Sequence, residues 1–284
     1  MTPMEVPRRV WSLFEPLHAV TYFAPAARAA FVDAGLRGFW RGYFAGRAAP
    51  FGAVGAGPVV AAFFGFAPGM VARALPDVWS RASPEAVLTA RLEGARAALG
   101  DLLEGAEVAE VAELLSAAAD EVELPGRVLG AANADLPRPE DALGRLWQAA
   151  TVLREHRGDG HVAALLTAGV DGCEAVVWRA VLDGGELPAS MQQARGWTDE
   201  QWQAALHRLA DRGWIAGDGT ATAAAREAYA QVEALTDRLA AGPWERLGED
   251  ATRRCVQLLG PLAERTWVVL PKDNPIPLRP LPPV

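Results

Sequence analysis

The stretch Thr198-Asp199-Glu200-Gln201-Trp202-Gln203-Ala204-Ala205-Leu206-His207-Arg208-Leu209-Ala210-Asp211-Arg212-Gly213-Trp214-Ile215-Ala216-Gly217-Asp218-Gly219-Thr220-Ala221-Thr222 decides the fold. Thr198 and Gln201 stand at the spacing of a capping box, and Asp199 and Glu200 suit the positive end of a helix. Trp202, Leu206 and Leu209 then fall on one face of a helix from Asp199 to Asp211, which Gly213 stops. Gly217-Asp218-Gly219 reads as a hairpin turn between Trp214-Ile215 and Thr220-Ala221-Thr222. Upstream, Leu187-Pro188 opens a short helix through Gln192, and Arg195-Gly196-Trp197 turns the chain. Downstream an Ala-rich helix runs from Ala223 to Ala241. The predicted order is helix, turn, helix, short hairpin, helix, so the chain is expected to be mainly α with little β-structure.

That order is the order of a winged helix. The segment resembles the DNA-binding half of MarR-type regulators, in which a helix with spaced leucines enters a wing and then a threonine-initiated helix. The whole chain before its proline-rich end resembles an actinobacterial helix-turn-helix family of unassigned function. Tyr22-Phe23, Gly35-Leu36-Arg37-Gly38-Phe39-Trp40, Gly46-Arg47-Ala48-Ala49-Pro50 and Arg154-Glu155-His156-Arg157-Gly158-Asp159-Gly160-His161 carry that resemblance. It implies a fold and almost no mechanism. If the segment reads DNA, the polar groups at hand are Gln201, Gln203, Arg208 and Arg212, with His207 beside them. The turn Gly217-Asp218-Gly219-Thr220 carries no cation, and acids at 199, 200, 211 and 218 surround the helix, which weighs against DNA as partner.

Working outward, Ser83 is placed as a helix N-cap, with Pro84 at the first helical position and Glu85 in the first turn. Helical spacing continues to Leu103 and resumes from Val108 to Ala119. Glu121 to Pro139 reads as a loop-rich connection, and a further helix is expected from Pro139-Glu140-Asp141 to about His156. The organisation expected is 1–82, an aromatic-rich winged-helix-like half; 83–138, a helical connection; 139–242, the winged-helix unit; 243–270, a C-terminal helix; and 271–284, a proline-rich tail. Ala34-Gly35-Leu36-Arg37-Gly38 and Ala168-Gly169-Val170-Asp171-Gly172 echo each other, each followed at a similar distance by a tryptophan, Trp79 and Trp214. The echo reads as two related winged-helix-like halves with a ligand site between them.

The chain has 284 residues, 51% hydrophobic, enough for a substantial core in one large or two ordinary domains. Its formal net charge of −8 argues against a broad electrostatic footprint for nucleic acid. Cys173 and Cys255 match no metal spacing and no disulfide framework, and they read as packed thiols in a reducing cytoplasm. No basic segment followed by an apolar run marks a signal peptide. Ala48 to Ala72 is free of charge, but its glycines and prolines make it a buried loop-and-short-helix segment rather than a membrane span.

All nine phenylalanines lie between Phe14 and Phe66. Such a segment, rich in Gly and Pro, either builds a first core or encloses a flat organic ligand. The residues expected to bind that ligand are His18, Tyr22, Phe39, Trp40, Tyr43, Phe44, Phe63 and Phe64, with Arg157 as a donor that orients it. Facing them, Gly158 and Gly160 should break the chain into a tight turn that gathers His156, Asp159 and His161, with Glu155 and Arg157 beside them. Asp159 would there either cap the next helix or join the two imidazoles in acid–base chemistry, with or without a metal or haem. The leading expectation is a cytoplasmic small-molecule-binding protein of helix-turn-helix lineage, a candidate ligand-responsive regulator and homodimer, whose ligand is apolar or aromatic. The rival is an enzyme using the 155–161 turn; a dimerisation module comes third. No nucleophile elbow, phosphate loop or zinc-protease helix occurs.

Overall fold

The computed structural model describes residues 6–184 and 187–271, with side chains at 187–189 left aside; the proline-rich segment expected from Pro271 onward lies almost wholly outside them. The first half contains α1 (Val6–Phe23), α2 (Pro25–Asp33), α3 (Phe39–Ala48), α4 (Ala56–Phe63), α5 (Pro68–Ala72), α6 (Pro84–Leu102), α7 (Ala109–Asp120) and α8 (Val128–Ala134). Then come α9 (Ala142–Thr167), α10 (Gly172–Asp183), α11 (Leu187–Arg195), α12 (Asp199–Asp211), α13 (Ala223–Leu239), α14 (Gly242–Leu247) and α15 (Glu249–Trp267). Among the described residues the β-structure is one antiparallel bridge, Ile215 to Ala221. The fold is mainly α-helical.

Local chemistry sets the boundaries. Ser83 accepts from the Ala86 N–H, Thr198 and Gln201 complete their capping box, and Thr222 accepts from the Ala225 N–H to start α13. The charge-free stretch forms α4, α5 and a 3₁₀ turn at Ala49–Phe51. No helix among the described residues is long and apolar enough to cross a membrane. The loop-rich connection contains the short helix α8, and the single C-terminal helix expected over 243–270 is two, separated at Gly248 with φ +88°.

The largest departure from expectation is α9. It runs unbroken for 26 residues through Gly158 and Gly160, where a turn was expected. A glycine in a helix interior costs about 1 kcal/mol relative to alanine, too little to break a helix packed on every side. At Gly160 the reason for glycine is close approach: a Cβ there would meet the Arg127 guanidinium, which crosses α9 to donate to the carbonyls of His156 (3.0 Å) and Leu239 (2.6 Å). The buried residues of α9 occupy its whole circumference, so no single apolar stripe announces its packing.

The three largest apolar clusters among the described residues are these. Helices α1, α6, α7, α9 and α15 enclose Phe14, Leu99, Leu115, Trp147 and Leu259. A second, aromatic core holds Phe31, Phe44, Phe63 and Phe66. The third, under α10 to α13, holds Val177, Trp178, Trp202 and Leu209. The sequence echo has a counterpart in element order. Gly35 (φ +92°) and Gly169 (φ +71°) each close a helix with the same pair of backbone hydrogen bonds, and three helices then precede a long hydroxyl-capped one, α6 or α13. Where the second half has its bridge, the first has a 3₁₀ turn at Asp77–Ser80.

Candidate ligand-binding site

His18 and Tyr22 sit one turn apart on α1 and face α9. The Thr151 hydroxyl donates to the Trp147 carbonyl at 2.8 Å, so toward His18 Nδ1, 2.9 Å away, it acts as acceptor. That fixes the proton on Nδ1 and leaves Nε2 to accept from the Tyr22 hydroxyl at 2.9 Å. Burial first, then the nearby Arg154 charge, push His18 well below the ordinary imidazole range, so the ring is neutral. Burial likewise holds the Tyr22 phenol protonated.

Beside this chain, Glu155 takes hydrogen bonds from Arg47 Nε (3.1 Å), Arg47 Nη2 (2.9 Å) and Arg154 Nη1 (2.8 Å). Burial alone would raise its pKa, but the Arg154 and Arg47 charges overcome it and keep Glu155 ionised. Arg154 also reaches Glu15, and Arg47 donates to the Tyr43 hydroxyl at 3.1 Å while lying 4.0 Å from the Phe63 ring centre. Burial pushes the Tyr43 phenol up, yet the charges of Arg47, Arg195 and Arg154 win and hold it below its ordinary value. Two adjacent phenols, with ring centres 5.0 Å apart, thus titrate in opposite directions.

Two adjoining chambers open here, with Thr21, Tyr22, Phe31, Gly42 and Tyr43 in the walls of both. The outer chamber encloses about 70 Å³, lined by Thr21, Tyr22, Phe31, Leu36, Phe39 and Tyr43, with Arg28 and Val32 at its edge. The inner one, about 10 Å³, is lined by His18, Thr21, Tyr22, Tyr43, Arg47, Arg91 and Glu155. By size the inner chamber suits one water or one polar group, and the outer several. The Thr21 hydroxyl, on a residue 3% exposed, has no hydrogen-bond partner among the described residues.

Of the pocket residues expected from sequence, Tyr22, Phe39 and Tyr43 line the outer chamber and His18 the inner. Trp40, Phe44 and Phe63 stack behind them as aromatic core. Phe64 belongs elsewhere: it packs against the third core, and its carbonyl abuts Gly172. Arg157 also points away, lying 4.2 Å over the Trp11 ring and pairing with Asp237 at 3.2 Å. Sequence reasoning did not name Thr21, Arg47 or Arg91 as site residues. Arg47 stood in a quoted motif, but no local pattern announces that it meets Glu155 across the fold.

The expected gathering of His156, Asp159 and His161 does not occur: on a continuous helix His156 and Asp159, three residues apart, share the face packed on α8, while His161 is turned toward α13. Asp159 accepts from the Leu129 and Gly130 N–H groups at the start of α8, not from the helix expected to begin near His161. Burial raises its pKa to about 6 despite those bonds. His156 lies 3.4 Å from the Glu123 carboxylate, and His161 meets Thr236 on α13 at 3.0 Å. Burial pushes both imidazoles down to about 4. Among the described residues, no three His, Cys, Asp or Glu side chains are grouped as a metal site requires. Cys173 and Cys255 are free, buried thiols, pushed up to about 12 by burial.

Three of the four polar groups expected to read DNA are engaged within the protein. Arg208 donates to Glu174 at 2.8 Å and Asp171 at 2.7 Å, Arg212 donates to the Gly169 carbonyl at 2.6 Å, and Gln201 is spent in its cap. Gln203 and His207 remain exposed.

A family model described as a helix-turn-helix family matches residues 7–269. The chain belongs to that helix-turn-helix family. Neither the curated proteins nor the solved structures contain a match to it. The matched residues run from α1 to just past α15, so the match is not confined to the α10–α13 segment.

Proposed function

We propose that this helix-turn-helix family member is a cytoplasmic small-molecule-binding protein, and that its ligand occupies the cavity between α1, α2 and α3, floored by Arg91 of α6 and Glu155 of α9. The observation that carries this reading is the buried, unpartnered Thr21 hydroxyl facing a cavity with an apolar outer chamber and a polar inner one. Buried polar groups are normally hydrogen-bonded, and one left open in a cavity wall is a place for a ligand or an ordered water. The Tyr22–His18–Thr151 chain fixes a neighbouring hydroxyl without consuming the cavity.

The order α10, α11, α12, bridge, α13 supports a winged-helix reading of the C-terminal segment. Its arginines serve intramolecular contacts, so we infer that ligand binding, and not DNA affinity, is the property to measure first. Binding of neutral one-ring compounds such as benzamide and benzyl alcohol, followed by calorimetry and mapped by NMR, tests the reading. Shifts centred on Thr21, Tyr22 and Tyr43 support it; ligands that map elsewhere, or no binding by any one-ring compound, neutral or charged, refute it.

A further inference from the structure

The guanidiniums around the inner chamber outnumber the carboxylates. Arg47 and Arg154 share Glu155, and Arg154 also holds Glu15. Asp159, the next carboxylate along α9, has Arg127 as its own neighbouring cation. Arg91 and Arg195 have no carboxylate partner among the described residues. Arg91 is 5% exposed and lines the inner chamber. It donates to the Gly46 carbonyl (3.0 Å) and Asn133 Oδ1 (3.1 Å) and lies 5.2 Å from the Trp147 ring centre, while its Nε has no partner. Arg195 lies 4.3 Å over the Phe66 ring, with its Nε unpartnered too. Neutral acceptors and ring faces solvate a cation in part, but a buried charge normally finds an opposite one.

We propose that the inner chamber receives the carboxylate of a small organic acid, whose hydrocarbon or aromatic body fills the outer chamber. This rests on the ligand-cavity reading above and adds the ligand's charge and direction. Arg91 supplies the cation, and the Thr21 and Tyr43 hydroxyls lie where an anion's oxygens would be met. Glu155 lines the same chamber, but Arg47 and Arg154 bind it on both oxygens, which removes most of its repulsion. Phe31, Leu36 and Phe39 give the outer chamber the surface an apolar body needs. Burial lowers the Arg91 pKa to about 10, so it remains charged at neutral pH while gaining from an anion beside it.

The test is calorimetric titration of the full chain with benzoate, cyclohexanecarboxylate and butyrate, each against its primary amide of nearly the same shape. Acids binding at least about tenfold more tightly than their amides, a difference of about 1.4 kcal/mol, are expected. Arg91→Met should remove that preference, bringing each acid down to the affinity of its amide in the same variant, and Arg91→Lys should restore part of it. The comparison in the unmodified chain decides the matter if Arg91→Met does not fold. Amides that bind as well as acids overturn the charge inference and leave the cavity reading standing. Binding by neither set overturns both.

Discussion

Replacing Glu155 by glutamine perturbs a buried carboxylate shared by two guanidiniums. The carboxylate is 2% exposed and accepts three hydrogen bonds from two guanidiniums. The amide keeps the shape but removes the charge and turns one acceptor into a donor facing arginine. Breaking a buried pair by removing one partner costs about 3–5 kcal/mol, because the other charge is left behind uncompensated. Here Arg47 and Arg154 would lose a shared partner while Arg91 already lacks one. At about 2–4 °C per kcal/mol for a chain of this size, the melting temperature should fall by roughly 10 °C. Urea unfolding followed by tryptophan fluorescence reads the free energy directly. Because the folded carboxylate titrates far below its ordinary 4.5, the stability it contributes is complete above that pH and declines as pH falls below it. Adding Arg47→Met to Glu155→Leu should recover part of the loss, since the orphaned charge goes with its partner. A loss under about 1 kcal/mol for Glu155→Gln would mean the pair behaves as an exposed one, and the buried ionic site argued above would fall.

Other expectations follow from the same geometry. His156 titrates near 4 when folded against 6.5 when unfolded, so its contribution is full above pH 6.5 and is lost as pH falls toward 4; His156→Gln should flatten the stability profile in that window by about 3 kcal/mol. Asp159 has the opposite sign: with a folded pKa of about 6 it favours folding most below its ordinary 3.8, and Asp159→Asn should remove the loss of stability that accompanies rising pH across that interval, measured by the same denaturation series. Gly172→Ala would drive a Cβ into the Phe64 carbonyl oxygen, a backbone atom; destabilisation of about 1–3 kcal/mol or misfolding is expected, and an unchanged melting curve would show that the contact is not made. Arg208→Ala strips the buried Glu174 carboxylate of its nearest cation, so a loss of about 1–3 kcal/mol is expected, with any DNA retardation by the folded protein unchanged; a loss of retardation would return α12 to the role of a reading helix.

The α12 segment was legible because its signals are local: a capping box, a glycine stop and a threonine cap each lie within a few residues of what they control. Ser83 and the breakers of the charge-free stretch were legible for the same reason. The 155–161 run was misread because glycine is a weak breaker when tertiary packing surrounds the helix, and the cause of Gly160 is Arg127, far off in sequence. The aromatic wall could be anticipated from composition, whereas its polar floor could not. Arg47 meets Glu155, and Arg91 meets Gly46 and Asn133, across separations that leave no periodic trace.

Helix α9 also bears on how this architecture could have been assembled and how far it can be taken apart. One rod gives Trp147 to the first core and Leu165 to the third, and sends Glu155 to the cavity and Arg157 toward α13. A gene cut near residue 138 would leave the N-terminal piece without the helix that fills its centre, and would leave α9 with most of its circumference in water. Neither half is therefore a module that recombination could move intact. If the two halves descend from one ancestral unit, the duplication must have preceded the commitment of α9 to both. From then on, a substitution on any of its faces is selected in the context of all the others.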